Sequence, residues 1–246
     1  MGKQTVIVTG ANRGIGLAIV NQFAEKGFDI FACARKETDE FVNIIEELKH
    51  KYQVEIMPIY FDLECENEVK AGARKILSIT KNINVLVNNA GISYSGLFNM
   101  TSIDKLKEVF QINFFSQVLF TQLISRAMIR QNSGCIINMA SVGGIEAKPG
   151  YMAYGSSKAA VIWETRCLAA ELGQYNIRVN AVAPGLVNTD MGYVKSENEI
   201  KKVLNRTPLS RMASRDEVSK TVFFLASEDA SFITGEILKV DGGRCC

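Results

Sequence analysis

The 246-residue sequence has a single histidine, His50, and it lies in the polar run Lys49-His50-Lys51. A histidine-based nucleophilic triad or a histidine-rich zinc site has no second imidazole to draw on. Six cysteines stand at 33, 65, 135, 167, 245 and 246 with no C-x-x-C pair and no Cys/His ligand spacing. They read as reduced thiols, and no metal is expected. An excess of one charge is missing too: 28 Lys and Arg against 26 Asp and Glu leave +2. Binding to a phosphate backbone demands a far more basic chain, so nucleic acid is not the expected partner. No uninterrupted apolar run approaches the ~20 residues of a membrane span, and the one after Lys3-Gln4 is too short for a signal peptide. The expectation is a soluble cytoplasmic protein with no membrane partner. Four prolines and 19 glycines, with 47% hydrophobic and 22% charged residues, exclude collagen-like and low-complexity chains.

Two short signals carry little weight. Asn99-Met100-Thr101 and Asn205-Arg206-Thr207 match the glycosylation sequon, but no secretion signal accompanies them. The terminal Cys245-Cys246 does not fit the prenylation pattern, and Met1-Gly2 lacks the Ser or Thr at position 6 that myristoylation prefers. The end of the chain is expected to be a frayed tail.

What is present is an alternation. Short β-branched or apolar runs recur at Val6-Ile7-Val8, Ile30-Phe31-Ala32, 56–61, Val85-Leu86-Val87, Ile136-Ile137-Asn138, 177–182 and 237–240. Helical periodicity fills the gaps at 17–26, 39–50, 66–79, 103–130, 153–172 and 215–226. Strand-helix alternation with continuously apolar strands predicts an α/β fold of Rossmann type: one doubly wound domain over 1–246, its seven-stranded parallel sheet covered by helices on both faces. From Leu186 to about Ser214 polar residues and Pro208 interrupt the periodicity. A loop this long in a compact α/β domain is usually functional, and it reads as a substrate lid.

The first strand runs into Thr9-Gly10-Ala11-Asn12-Arg13-Gly14-Ile15-Gly16, and a helical pattern follows at once. Glycines allow close approach of a pyrophosphate, and a helix N-terminus supplies N–H donors and positive dipole to hold it. The spacing is G-x-x-x-G-x-G, not the general G-x-G-x-x-G fingerprint. An acidic residue about 20 positions beyond the glycines would bond the ribose 2′-hydroxyl of NAD, whereas a basic one accommodates the 2′-phosphate of NADP. Here the second strand ends Ala32-Cys33-Ala34-Arg35-Lys36, with no carboxylate. Arg35 and Arg13 suit the planar contact with a phosphate, so NADP(H) is the expected cofactor. Asp62, in Phe61-Asp62-Leu63, is placed either to accept from an adenine amino group or to cap a helix.

Tyr154 and Lys158 are four apart in a helical pattern and share a face. A nearby ammonium favours phenolate, and each unit by which it lowers the tyrosine pKa from about 10 is worth ~1.4 kcal/mol. A hydride-transfer enzyme needs such a group to move a proton to or from the carbonyl oxygen. Together with the glycine turn, Asn88-Asn89-Ala90-Gly91 and Ser141, this set resembles the short-chain dehydrogenase/reductase family over the full length, 1–246.

The resemblance implies Tyr154 as acid/base, Lys158 lowering its pKa and bonding the nicotinamide ribose, Ser141 holding the substrate oxygen, and Asn113 anchoring a proton-relay water. It places the cofactor against Gly10, Asn12, Arg13, Gly14, Ile15, Gly16, Arg35, Asp62, Leu63, Asn89, Ala90, Gly91, Tyr154, Lys158, Pro184, Gly185, Val187 and Thr189. Asn88 to Gly91 would stabilise the sheet beside the adenosine, and Pro184-Gly185 with Thr189 would hold the carboxamide. Phe232-Ile233-Thr234-Gly235-Glu236 through Val240-Asp241-Gly242-Gly243 looks most like the 3-oxoacyl-[acyl-carrier-protein] reductases, which implies a small-molecule or carrier-bound carbonyl substrate. Similar endings occur in sugar and polyol dehydrogenases. The family also implies a homotetramer, or at least a dimer, with helices around 103–130 and 153–173 packed across one interface.

One position departs from that subgroup. Its carrier-docking basic residue is replaced in Leu168-Ala169-Ala170-Glu171, where Arg130 and Arg166 are the available substitutes. Ser93, Tyr94, Ile145, Met191 and Tyr193, the expected pocket residues, mix apolar and hydroxyl groups and do not choose between an acyl thioester and a sugar-like ketone. A non-catalytic NADP-binding sensor is the reading of another class, and the filled set Asn113, Ser141, Tyr154 and Lys158 argues against it.

Overall fold

A computed structural model describes residues 3–189, 192 and 197–245. The expected seven strands are present: β1 (Thr5–Thr9), β2 (Asp29–Ala34), β3 (Ile56–Tyr60), β4 (Val85–Asn88), β5 (Gly134–Met139), β6 (Ile177–Pro184) and β7 (Ile237–Val240). They pair in parallel in the order β3-β2-β1-β4-β5-β6-β7. That order reverses at β1, the topological switch point beside which α/β sheets bind ligands at their carboxyl edge.

The central strands β1 and β4 are buried throughout. The edges depart from the apolar expectation, because β3 exposes Met57 and carries Pro58, and β7 is only partly buried. Proline is tolerated there because an edge strand need not donate on its open side. The sheet is covered by α1 (Gly14–Glu25), α2 (Asp39–Tyr52), α3 (Glu66–Ile79), α4 (Ile103–Phe110), α5 (Ser116–Gln131), α6 (Met152–Leu172), α7 (Glu197–Leu204) and α8 (Arg215–Ala226). One core joins Ile19, Phe23, Val218 and Val222 to strand residues such as Val6 and Val8. A second joins Val69, Ile76, Phe120 and Ile124 to Ile7, Leu86 and Ile136, and a small third one joins Val161 of α6 to Ala140, Ala181 and Ala183. Burying each Val, Leu, Ile or Phe among them stabilises by about 1.5–3 kcal/mol.

A buried polar ladder sets the helices that matter for the site. Asn88 Nδ2 donates to Thr121 Oγ1 at 2.8 Å and Asn138 Oδ1 at 2.9 Å, and Asn138 Nδ2 donates to Thr165 Oγ1 at 3.0 Å. Side chains of β4 and β5 thus peg α5 and α6 in register, since a buried amide left without a partner is strongly unfavourable.

Three expectations are corrected. The pattern over 103–130 is not one uniform helix: Gln111–Phe115 forms a π-turn between α4 and α5. Such turns insert a residue and swing a side chain inward, and Asn113 is wholly buried. The 186–214 stretch is not loop throughout, because Glu197-Asn198-Glu199-Ile200-Lys201-Lys202-Val203-Leu204 forms α7, with acids in its first turn and lysines in its last. The tail is not frayed as far as Cys245, whose N–H donates to Asp241 Oδ2 at 2.9 Å. Met191, Tyr193 and Cys246 lie outside the described residues.

Candidate active site

Two glycine-dependent contacts build the first half of the site. A Cβ on Gly16 would lie 2.0 Å from the Gly10 carbonyl oxygen, and one on Gly10, with φ of +64°, would lie 2.9 Å from Ala90 Cα. The turn between β1 and α1 is therefore folded tightly onto Asn89-Ala90. Thr9 Oγ1 accepts N–H bonds from Asn89 and Ala90, each at 3.0 Å, while Asn89 Nδ2 donates to the Thr9 and Gly10 carbonyls at 2.9 and 3.2 Å. Asn89 and Ala90 thus hold the shape of the turn.

The N-terminus of α1, with Arg13 at its N-cap, has no side-chain cap. Its free N–H groups and the close-packed glycines fit the diphosphate of a dinucleotide. Arg13, Asn12 and Arg35 are exposed around this turn, which is joined to the end of β2 by the Ala11 N–H bond to the Cys33 carbonyl at 2.9 Å. Ile15 is half-buried against the core. Thr189 Cγ2 would sit 3.7 Å from a Cβ on Gly14, so the segment leaving β6 lies against the glycine turn. Pro184 ends β6, Gly185 packs against Asp241, and buried Val187 bridges to Ala213.

On the far side, Asp62 Oδ1 accepts from Glu64 N at 2.9 Å, which makes it a turn-capping group ahead of α3. The Leu63 carbonyl accepts from Ser116 Oγ.

The reacting half depends on packing between the turn after β5 and α6. A Cβ on Gly155 would be 2.6 Å from the Gly143 carbonyl oxygen, and one on Gly144 would be 2.7 Å from the Lys158 backbone. This close approach brings Ser141 beside Tyr154: a Cβ on Gly143 would lie 3.4 Å from both Ser141 Oγ and Tyr154 Cε1. Ser141 Oγ also accepts from Gly143 N at 3.0 Å. Lys158, 4% exposed, donates to the Met139 carbonyl at 2.7 Å. Gly91 leaves room for its neighbours, since a Cβ there would be 3.0 Å from Asn113 Oδ1 and 3.5 Å from Lys158 Nζ. Asn113 Oδ1 accepts from Ile92 N at 2.8 Å, and its Nδ2 donates to the Ile92 carbonyl and Ser157 Oγ, both at 3.0 Å. Asn113, Ser141, Tyr154 and Lys158 are thus gathered at the carboxyl edge of β4 and β5.

Burial pushes the Tyr154 phenol above its ordinary value, the Ser141 hydrogen bond pulls it down, and Tyr151 pushes it up. Among these influences Ser141 is the one that lowers the phenol. Burial brings Lys158 itself down from 10.5 to about 8.

The sequence reading passed over three groups. Tyr151 packs on Tyr154 with ring centroids 5.7 Å apart, and the Lys148 ammonium lies 3.4 Å from the Tyr151 ring centroid. Spacing of three on a helix offered a signal for Tyr151. Ser157, which orients Asn113, and Glu146, described below, had none. Of the pocket residues, Ser93 and Ile145 are exposed and Tyr94 is half-buried.

A family model described as enoyl-(acyl carrier protein) reductase matches residues 10–244. The chain belongs to the short-chain dehydrogenase/reductase family. Among relatives in this family, the 3-oxoacyl-[acyl-carrier-protein] reductase of Aquifex aeolicus is 38% identical over 237 residues, covering 96% of this chain and 95% of that protein. Among solved structures, a 7α-hydroxysteroid dehydrogenase complexed with NADH and 7-oxo glycochenodeoxycholic acid superimposes with a TM-score of 0.92 at 30% identity, covering 98% of this chain and 93% of that one. ElxO with NADP bound gives 0.90 at 30% identity over 99% of both chains. These short-chain dehydrogenase/reductase structures share the fold while their ligands differ, so substrate must be argued from the site.

Proposed function

We propose that the protein is an NADPH-dependent reductase that converts a ketone to a secondary alcohol, with a 3-oxoacyl thioester as substrate. The observation that carries this reading is the gathering of Tyr154 and Ser141 around Gly143, with Lys158 and Asn113 around Gly91 in the same cluster. A bound nicotinamide cofactor supplies the hydride. Ser141 orients the carbonyl oxygen toward Tyr154, which is protonated at neutral pH and gives up its phenolic proton to that oxygen. Lys158, cationic below about pH 8, stabilises negative charge left nearby and supplies N–H donors toward the ribose. Exposed Arg13 and Arg35, with no carboxylate ending β2, support NADPH over NADH.

A carrier-bound substrate is supported by a groove of about 430 Å³ between α3 and α5, lined by Lys70, Arg74, Lys81, Arg126 and Arg130 over Leu77, Leu123 and Ala127. An acidic carrier protein is the partner whose charge it complements. Arg130 belongs to this groove, whereas Arg166 is exposed on α6.

The test is NADPH oxidation followed by absorbance with acetoacetyl thioester and a panel of sugar ketones, with Tyr154→Phe as control. Thioester turnover is expected to vanish in Tyr154→Phe while NADPH binding persists. Near-normal turnover in that variant would overturn the acid/base role. Turnover with sugar ketones alone would make the protein a sugar or polyol dehydrogenase, and binding without any turnover would favour a sensor.

A further inference from the structure

Glu146 follows directly on the Ser141 turn. The Gly144 N–H donates to the Ser141 carbonyl at 3.0 Å, and the Glu146 N–H donates to the Val142 carbonyl at 2.8 Å. Its carboxylate therefore moves with Ser141. That carboxylate reaches two guanidinium groups: Arg206 Nη2 donates to Oε1 at 2.5 Å, and Arg244 Nη2 donates to Oε2 at 2.8 Å. Cys245 Sγ lies 3.9 Å from Oε2.

The two arginines sit on segments that pack on each other. Arg206 follows α7, with its N–H bonded to the Val203 carbonyl at 3.1 Å. Arg244 lies in the turn after β7, where Asp241 accepts from Gly243 N at 3.0 Å and Cys245 N at 2.9 Å. Gly242 and Gly243 have φ of +66° and +84°, and Cβ atoms on them would be 2.9 Å from Thr207 and 3.1 Å from Pro208. The missing side chains let this turn lie flush on 207–209, and Leu209 N donates to the Gly242 carbonyl at 3.2 Å. Arg244 is only 11% exposed along its side chain, against 66% for Arg206. Its buried Nε has no hydrogen-bond partner. Among the described residues Glu146 is the acid that compensates this buried cation. Burial alone would raise the Glu146 carboxyl, but Arg244 and Arg206 outweigh it and hold the group below its ordinary value.

We infer that Glu146 is a positioning residue: it fastens the trailing end of the 186–214 segment and the turn after β7 to the turn that carries Ser141, and so sets the affinity for the ketone. The inference rests on the proposed reductase activity for its substrate term, but the fastening itself is independent of it. A group that holds the wall of a binding site, without touching reacting atoms, acts on KM more than on kcat.

The experiment compares wild type with Glu146→Gln, which keeps the shape and removes the charge, and with Arg206→Ala, an exposed change that leaves Arg244 paired. KM and kcat for the ketone are measured at saturating NADPH, and tryptic cleavage after Lys201 and Lys202 in α7 is timed on the native protein by mass spectrometry. In Glu146→Gln, KM rises about tenfold with kcat within about twofold, and cleavage accelerates about tenfold. Arg206→Ala shifts both in the same direction by a smaller factor. A fall in kcat at unchanged KM, or cleavage at the wild-type rate, overturns the inference. If Glu146→Gln does not fold, Arg206→Ala decides by the same two readings. Should wild type turn over no ketone, the reductase reading fails, and the cleavage rates alone then support or sink the fastening.

Discussion

Lys158 sits where its charge opposes folding. Its ammonium is buried with the Met139 carbonyl as its hydrogen-bond partner, and burial brings its pKa from 10.5 to about 8. At about 1.4 kcal/mol per pH unit, that displacement corresponds to about 3 kcal/mol of lost stability. The sign follows from proton binding: between about pH 8 and 10.5 the unfolded chain holds the proton more tightly than the native one. The penalty is thus complete below about 8 and fades as the pH rises toward 10.5. Lys158→Met removes it and forfeits the Met139 bond, worth about 1 kcal/mol, for a net gain of about 2 kcal/mol at neutral pH. Urea unfolding should show the variant more stable than wild type at pH 7, the two converging near pH 10, with turnover lost at both. A variant less stable than wild type at pH 7 would mean the lysine is structurally favourable after all. In wild type, reduction should fall as pH rises through about 8, where the ammonium is lost.

The β1–α1 turn has its own test, because Gly16 is set by contact rather than by conformation. Alanine is favoured over glycine within a helix by about 1 kcal/mol, but a Cβ here would lie 2.0 Å from the Gly10 carbonyl oxygen. Backbone cannot yield that far without opening the turn, so the clash wins. Gly16→Ala is expected to lower stability by about 1–3 kcal/mol and weaken NADPH binding at least about tenfold in a fluorescence titration. Unchanged affinity would remove the turn from the cofactor site. Elements of this kind were legible in the sequence because their causes are local: α3 and α8 carry clear helical periodicity, and Ser214 and Glu217 form a capping box that starts α8. The π-turn at Gln111–Phe115 was not, because it preserves helical periodicity on either side while rotating Asn113 inward. Helix α7 was missed because eight residues give too short a pattern between irregular flanks. Glu146 was invisible for a different reason: its partners lie 60 and 98 residues away in sequence. The Lys158 bond to the Met139 carbonyl was not legible either, because helical spacing fixes a shared face and leaves the lysine tip free to choose its partner.

At the scale of the whole molecule, large apolar side chains stay exposed in several places, among them Leu97, Phe98 and Met100 before α4 and Ile103 at its start, and two of these places bear on self-association. On the helical side Phe115 is 54% exposed, and Trp163 is 66% exposed on α6. Beyond α8, Phe232 is fully exposed near the edge strand β7, and Phe224 of α8 is partly so. Large aromatic side chains in water forfeit about 1.5–3 kcal/mol each relative to burial, and a two-fold contact buries each of them twice. We propose that these two faces each pair with their own copy about a two-fold axis, which would close the chain into a tetramer with mutually perpendicular axes. Light scattering on the eluting protein should therefore give four times the 27.2 kDa chain mass. Phe232→Glu places a carboxylate in one contact and should leave dimers held by the helical face. Trp163→Glu should leave dimers held by the other, and the double variant should elute as a monomer. The order of these effects separates two interfaces from one, since a single shared interface would send each variant straight to monomer. A wild-type mass of one chain would refute the tetramer. The fully exposed Phe232 would then need a different partner to cover it.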